Sequence, residues 1–230
     1  MLTLIHHTLC PLSRSIRLAL AECGLSAELV EEQPWSWRDE FLDLNPAGNL
    51  PVLIAETGEA ICGVYPISEY LAESSAQPSE EASGFSLFPG DVKGRAETRR
   101  LIDWFHSKFN SEVSACVLEE KIYRTASNGS EGPNIAALRA AQDNLRYHLS
   151  YIGHLIEERH WLAGEKLSFA DLAAAGQLSS MDYLGDVPWE VNEAAKTWYS
   201  RVKSRPSFRQ LLKDRVAGLA PVAHYVVLDF

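Results

Sequence analysis

The sequence predicts an α/β unit at the N-terminus followed by an all-helical unit, and three observations support this. Strand and helix signals alternate through residues 1–75, which is typical of an α/β arrangement with a small mixed sheet. Residues 76–92 are rich in Ser, Pro, Gly and Glu, which is the composition of a linker. Residues 93–215 then carry apolar side chains at helical spacing, and residues 216–230 form a tail.

The first elements of the α/β unit follow from local signals. Residues 2–6 form a short apolar run of the kind found in buried strands. A helix is predicted over residues 13–23, because apolar side chains recur on one face and Gly24 supplies a C-terminal stop. Residues 27–32 return to a strand pattern, so the unit opens as strand, helix and strand.

A hairpin and a helix complete this unit. The Thr57-Gly58 pair lies between two strand-like segments, residues 51–55 and 59–64, which favours a hairpin. Pro66 stands where a helix would begin, a position that proline tolerates well.

The second unit has helical signals only. Its apolar stripe predicts a long helix over residues 94–123 and an antiparallel return over 135–159. Ser168 followed by Asp171 fits a capping box at the start of a buried helix. A further helix is predicted over residues 190–203, with a short last helix after it.

Charge and composition exclude several classes of function. The 21 basic and 31 acidic residues give a net charge of −10, which disfavours nucleic-acid binding and adhesion to anionic membranes. No apolar run approaches 18 residues and the N-terminus lacks a basic signal region, so we expect no membrane insertion and a cytoplasmic protein. The four scattered cysteines are expected to be reduced thiols.

Cys10 is the first candidate for chemistry. The segment Cys10-Pro11-Leu12-Ser13 joins the first strand to the first helix, where free N–H groups and the helix dipole favour a thiolate. The alternative is that Cys10 only packs, as cysteine often does. His6 and His7 lie close by in the sequence, but there is no second ligand cluster, so no metal site is predicted.

A second candidate element is the segment N-P-A-G-N-L-P-V-L over residues 45–53. Pro51 is the first residue of a predicted strand and is a candidate for a cis peptide bond. That geometry would direct the backbone N–H and C=O of Leu50 toward a ligand.

These segments together resemble the cytosolic glutathione transferases. The resemblance rests on C-P-x-S at Cys10, N-P-x-G-x-x-P-V-L before the third strand, I-S-E-Y-L on the third helix, and S-F-A-D and R-P-S-F in the helical half. It implies a thioredoxin-like N-terminal domain, an all-α C-terminal domain and a homodimer. It also implies that Cys10, with Ser13 beside it, stands at the catalytic position. Leu50 would pair with the glutathione backbone, and Pro51 would be the cis proline.

One departure from the family concerns glutathione binding. The family carries an acidic residue or Gln followed by Ser before the third helix, and these hold the γ-glutamyl end of glutathione. Here the two positions are Gly63 and Val64, whose side chains form no hydrogen bonds. Losing two charge-assisted contacts of about 1.5–3 kcal/mol each weakens binding from micromolar to roughly millimolar. We therefore expect weak or no glutathione binding and no required cofactor.

The tail and a tryptophan-rich loop are candidates for protein binding. Five of the last six residues are large and apolar or aromatic, although chain termini are usually polar. Such a tail either packs on its own domain or is an exposed anchor for a partner. The polar loop beside Arg38 contains Trp35 and Trp37, and each of them either packs on the sheet or binds a partner.

A narrower resemblance is to the family members that bind the division GTPase FtsZ in alphaproteobacteria. It rests on W-F-x-x-K-F at Trp104, G-D-V-P-W over 185–189, R-P-S-F-R-x-L-L over 205–212 and the ending H-Y-x-x-L-D-F. The resemblance implies a non-catalytic dimer that binds FtsZ filaments at the division site. It assigns partner binding to the tail, the tryptophan loop and the surface of the long helix, namely Leu228, Asp229, Phe230, Trp35, Trp37, Arg95, Arg99 and Arg100.

Two alternatives stay open. The arginines of the long helix either form a basic patch for an acidic partner or pair with Glu97 and Asp103 on the same helix. The whole protein is either an FtsZ-binding interaction protein or a glutathione transferase or thiol transferase. In the second case Cys10 would act on small electrophiles or mixed disulfides, and glutathione would be the cofactor. A third interpretation is a stress-related dimer with another ligand between its domains.

Overall fold

The N-terminal unit of the computed structural model is a four-stranded mixed sheet with three helices. The structure describes residues 1–75, 85–126 and 132–228. The elements of this unit are β1 (Leu2–His6), α1 (Pro11–Glu22), β2 (Ala27–Glu31), α2 (Asp39–Leu44), β3 (Val52–Ile54), β4 (Ala60–Cys62) and α3 (Val64–Ser75). The sheet order is β2-β1-β3-β4, with β1 parallel to β2 and antiparallel to β3. This is the predicted thioredoxin-like arrangement.

Small differences from the predicted bounds have local causes. Helix α1 begins two residues earlier than predicted, because Pro11 occupies its first position, where a missing N–H carries no cost. The hairpin forms at Thr57-Gly58 as predicted, and Gly58 adopts a left-handed φ of 100°. Its strands are shorter than the sequence pattern indicated.

The C-terminal unit is helical, as predicted. The helices are α4 (Val92–Asp103), α5 (Ala115–Leu118), α6 (Arg124–Ala126), α7 (Ile135–Glu158), α8 (Phe169–Leu184), α9 (Glu193–Lys203) and α10 (Arg209–Leu212). Two π-helical segments, Trp104–Ser114 and Glu119–Tyr123, join α4, α5 and α6 into one continuous rod, which we call the long helix. Such π-helical stretches are rare and are frequent at functional sites.

The capping box at α8 is confirmed. The Ser168 side chain accepts a hydrogen bond from the N–H of Ala170, and Asp171 Oδ2 accepts from the Ser168 N–H at 3.0 Å. Asp171 Oδ1 also accepts from the indole of Trp198 at 3.0 Å, which ties α9 to the start of α8. One sequence signal therefore fixes both a helix start and a packing contact.

Part of the predicted linker packs into the core. Residues 76–84 lie outside the described residues, but Leu87 and Phe88 are buried. The Leu87 carbonyl accepts from the Phe169 N–H, and the Phe88 ring packs against that of Phe169. The apolar end of this segment thus belongs to the helical core.

The two units meet along α1 and α8. The helices approach so closely at Gly176 that a Cβ there would lie 2.7 Å from the carbonyl oxygen of Pro11. Arg14 crosses the same contact and is completely buried, with its Nη1 donating to the Ser179 carbonyl at 3.0 Å. The first helix of the sheet domain is therefore held against the centre of the helical domain.

Candidate functional site

Cys10 occupies the predicted junction but does not have the predicted ionisation. It is the N-cap residue of α1 and is buried. Burial raises the pKa of its thiol. The Ser13 side chain and the N–H groups of Ser13 and Leu12 act in the opposite direction. The expectation of a thiolate is therefore wrong, because desolvation outweighs the helix N-terminus.

A group of aromatic side chains lies near Cys10. Tyr123, at the end of the second π-helical segment, is close enough to Cys10 to interact with it electrostatically, and burial raises its pKa well above the usual value. Its ring lies 5.1 Å from that of Trp35, and the Trp35 ring lies 5.3 Å from His7. We call His7, Trp35 and Tyr123 the aromatic cluster.

The two tryptophans of the loop have different environments. Trp35, in a short 3₁₀ turn (Pro34–Ser36), is half-buried within the aromatic cluster. Trp37 is 64% exposed and adopts a left-handed φ of 46°. Its ring lies over Gly48, where a Cβ would come within 2.9 Å of it. Trp37 is therefore the tryptophan of this loop that is available to a partner.

The segment at Leu50 keeps the geometry expected of a peptide-binding strand. The Leu50-Pro51 bond is cis, as predicted. Neither the N–H nor the C=O of Leu50 makes a hydrogen bond within the described part of the chain. Unpaired backbone groups beside a nearly buried side chain are suited to pairing with an extended ligand.

The position that would hold a γ-glutamyl group offers no polar side chain. Gly63 has a φ of 92°, and its N–H donates to the Pro51 carbonyl at 3.0 Å. Val64 begins α3 and is half-buried. The next carboxylate along the chain, Glu69, accepts two hydrogen bonds from Arg99 at 2.9 and 3.0 Å. Within the residues that the structure describes, Leu50 thus has free backbone groups, but there is no polar side chain at Gly63 or Val64.

A separate cleft of about 680 Å³ is lined by two members of the aromatic cluster, His7 and Trp35. Cys10, Leu50 and Gly63 do not line it. Its walls come from four separate segments and include His7, Glu31, Trp35, Lys121, Arg215 and residues 216–219. No local sequence signal could reveal this cleft, because it forms only when these segments meet.

The arginines of the long helix are mostly engaged in ion pairs. Arg100 donates to Glu97 at 2.7 and 2.8 Å, as one of the two alternatives predicted. Arg99 pairs with Glu69 of α3 rather than with a residue of its own helix. Arg95 is exposed and makes no ion pair with any described residue. The predicted basic patch is therefore largely neutralised.

The tail is both packed and exposed. Tyr225 is completely buried, whereas Val226, Val227 and Leu228 are 46%, 45% and 43% exposed. Asp229 and Phe230 lie outside the described residues. Packing and exposure are therefore both found, for successive residues of the same tail, and partner binding by the exposed part stays a prediction.

Neither a metal site nor a membrane span is found in residues 1–75, 85–126 and 132–228. No three His, Cys, Asp or Glu side chains within these ranges are placed to hold a metal ion. No helix among these residues is both long and apolar enough to cross a bilayer.

Comparison with known proteins assigns the family. Residues 9–74 match the model of the glutathione S-transferase N-terminal domain, and residues 115–206 match the model of the C-terminal domain. The chain is 45% identical to FtsZ-localized protein A of Caulobacter vibrioides, over 99% of this chain and 98% of that protein.

Two solved structures agree in fold over the whole chain. A glutathione S-transferase from Rhodospirillum rubrum F11 superposes with a TM-score of 0.92 at 44% identity, covering 100% of both chains. FzlA from C. crescentus gives the same TM-score and identity, covering 100% of this chain and 99% of its own. The chain therefore belongs to the glutathione S-transferase superfamily, and within it is a homologue of FtsZ-localized protein A.

Proposed function

We propose that this protein binds FtsZ filaments and supports cell division, acting in the cytoplasm at the division site as a homodimer that needs no cofactor. The observation that carries the proposal is the 45% identity to FtsZ-localized protein A along the full length of both chains.

The surface of the protein supports a binding role. The tail presents Val226, Val227 and Leu228 to solvent directly after a buried tyrosine. Trp37 presents a large aromatic ring in a loop of the N-terminal domain. Exposed aromatic and aliphatic side chains at fixed positions are the usual anchors of protein interfaces.

The interior disfavours the alternative, a transferase that uses Cys10. A nucleophilic or thiolate-stabilising site needs a lowered thiol pKa and access to substrate. Cys10 has a raised pKa, and Gly63 and Val64 offer nothing to the γ-glutamyl group. Only the backbone of Leu50 favours glutathione.

Pelleting with FtsZ tests the proposal. FtsZ from Caulobacter vibrioides, polymerised with GTP, is expected to carry the intact protein into the pellet at low salt. Deletion of residues 228–230 and Trp37→Ala should each reduce the pelleted fraction severalfold. Val92→Ala removes an equally exposed apolar side chain elsewhere and should leave pelleting unchanged.

A glutathione assay separates the two functions. The FtsZ-binding proposal predicts no glutathione-dependent turnover of an electrophilic aryl chloride, and the same FtsZ pelleting for Cys10→Ala. Failure of the intact protein to pellet, together with turnover that Cys10→Ala abolishes, would replace the proposal with the transferase.

A further inference from the structure

The tail leaves the protein at a point fixed by one buried side chain. Residues Ala223–Val226 form a 3₁₀ turn in which Tyr225 is 0% exposed. The Tyr225 hydroxyl accepts a hydrogen bond from Arg14 Nη1 at 2.9 Å and donates to the Leu211 carbonyl at 2.9 Å. The next three residues are exposed, so Tyr225 is the last anchored residue before the candidate binding segment.

The guanidinium that binds the Tyr225 hydroxyl belongs to Arg14 of the N-terminal domain. Arg14 lies in α1 and is completely buried. Besides Tyr225, it donates to the Thr8 carbonyl at 2.8 Å, the Ser179 carbonyl at 3.0 Å and Asp214 Oδ2 at 3.3 Å. Its guanidinium therefore links the β1–α1 loop, α8 and the tail. Nη1 donates to both Ser179 and Tyr225, while Nε and Nη2 donate to Thr8 and Asp214.

A second contact holds the residue before Tyr225. His224 Nε2 lies 3.0 Å from Asp182 Oδ1, and Lys203 Nζ donates to the His224 carbonyl at 3.2 Å. Asp182 and Lys203 are themselves fully enclosed. The turn is thus attached to the helical core through both its side chains and its backbone.

We propose that Arg14 and Tyr225 are positioning residues for FtsZ binding, which fix the direction in which residues 226–228 leave the protein. This inference rests on the proposed function. An interface segment that is already ordered avoids the conformational entropy that a loose segment loses on binding. The role of this pair is therefore to organise the tail before the partner arrives, without contacting the partner.

Tyr225→Phe tests the proposal with a minimal change. It keeps the ring packed against Tyr183, but it removes the hydroxyl that joins Arg14 to Leu211. We expect FtsZ affinity to fall about tenfold, because ordering a loosened segment on binding costs about 0.5–1.5 kcal/mol for each side chain that is immobilised. Amide hydrogen exchange in residues 222–228 should rise, while exchange in α8 and α9 stays unchanged. Tyr147→Phe, which removes a hydroxyl from an exposed ring, is the matched control and should change neither quantity.

The outcomes separate this inference from the proposed function. If Tyr225→Phe accelerates tail exchange but binds FtsZ like the wild type, or if tail exchange does not change, the positioning role is refuted. If the intact protein does not bind FtsZ at all, the proposed function fails, and the exchange data still report whether Tyr225 holds the tail.

A second variant covers the case in which Tyr225→Phe does not fold. His224→Ala removes a side chain that is 40% exposed, and its loss is tolerated more easily than that of a buried group. It should loosen residues 222–228 and weaken FtsZ binding severalfold. Unchanged affinity in His224→Ala with a loosened tail would again refute the proposal.

Discussion

Asp182 and Lys203 form an ion pair inside the helical domain, with 3.3 Å between Oδ2 and Nζ and neither side chain accessible to solvent. Asp182 also accepts hydrogen bonds from Trp189 Nε1 at 3.0 Å and Tyr199 OH at 3.2 Å. A buried carboxylate is tolerated only when its lone pairs are satisfied in this way. Both members of the pair also contact His224, Asp182 through the imidazole and Lys203 through the backbone carbonyl. The pair therefore joins the helical core to the start of the tail.

Lys203→Met should destabilise the protein strongly. It leaves Asp182 without its cation in a site that water does not reach, which typically costs about 3 kcal/mol of unfolding free energy. Urea unfolding followed by circular dichroism measures the change. Arg146→Met, which breaks the exposed pair with Asp143, is the control and should cost below about 1 kcal/mol. Equal losses in the two variants would show that the buried pair has no special role.

His106 should make the protein sensitive to acid. Both of its ring nitrogens are buried without a hydrogen-bond partner among the described residues, and burial lowers its pKa to about 3. The unfolded chain binds a proton at this histidine below about pH 6.5, whereas the folded chain does not until far lower pH. The free energy of unfolding is therefore highest above that pH and falls as the pH drops toward 3.

His106→Phe should reduce this acid sensitivity. One such histidine changes the free energy of unfolding by up to about 1.4 kcal/mol per pH unit. The variant should therefore lose roughly 2 kcal/mol less unfolding free energy than the wild type between about pH 6.5 and 4.5. His6, whose pKa burial lowers to about 4, contributes with the same sign, so part of the dependence should persist. Urea unfolding across this pH range gives both slopes. Identical slopes for the variant and the wild type would contradict the assignment to His106.

Cys10 should react slowly with alkylating reagents. Its thiol is buried and its pKa is raised, so the thiolate that attacks iodoacetamide is scarce and shielded. At neutral pH we expect modification at least about tenfold slower than that of free cysteine, measured by mass spectrometry of the Cys10 peptide. Full modification in urea is the control. Modification faster than that of free cysteine would instead indicate an activated thiol.

Restoring polar side chains before α3 should restore glutathione binding. The double substitution Gly63→Glu with Val64→Ser introduces the two groups that the family uses, and each is worth about 1.5–3 kcal/mol. The left-handed φ of Gly63 means that Glu at this position costs about 1 kcal/mol of folding stability, a strain that the free and bound protein share. Among the atoms of residues 1–75, 85–126 and 132–228, a Cβ at Gly63 comes within 4 Å only of Pro66 Cδ, at 3.7 Å, which leaves room for the new side chain.

Isothermal calorimetry with reduced glutathione measures that effect. The wild type should bind at roughly millimolar concentration, and the double variant at least about tenfold more tightly. Gly58→Glu introduces the same residue at a similar φ in the hairpin turn, and should not increase affinity. Low-micromolar affinity of the wild type for glutathione would contradict the prediction that Gly63 and Val64 leave binding weak.

Local signals in the sequence were sufficient for the order of elements. The capping box at Ser168 and Asp171, the hairpin at Thr57-Gly58 and the cis bond before Pro51 are all present in the structure. Each depends on interactions within a few residues, which a sequence displays directly. The absence of polar side chains at Gly63 and Val64 is likewise a property of residue identity alone.

The environment of each candidate site residue was decided by tertiary contacts. The sequence places Cys10 at the start of a helix. The residues that bury it come from distant parts of the chain, and the sequence does not show them. Arg99 pairs with Glu69, 30 residues away, although closer carboxylates were available on its own helix.

The same division holds for the tail. The sequence by itself determined that five of the last six residues are large and apolar or aromatic, and it left packing and exposure as alternatives. Only the tertiary structure decided that Tyr225 is anchored and Val226 exposed, because the partner of Tyr225 is Arg14, 211 residues away. Burial and the ionisation of buried groups depend on which distant surfaces meet, and no local pattern contains that information.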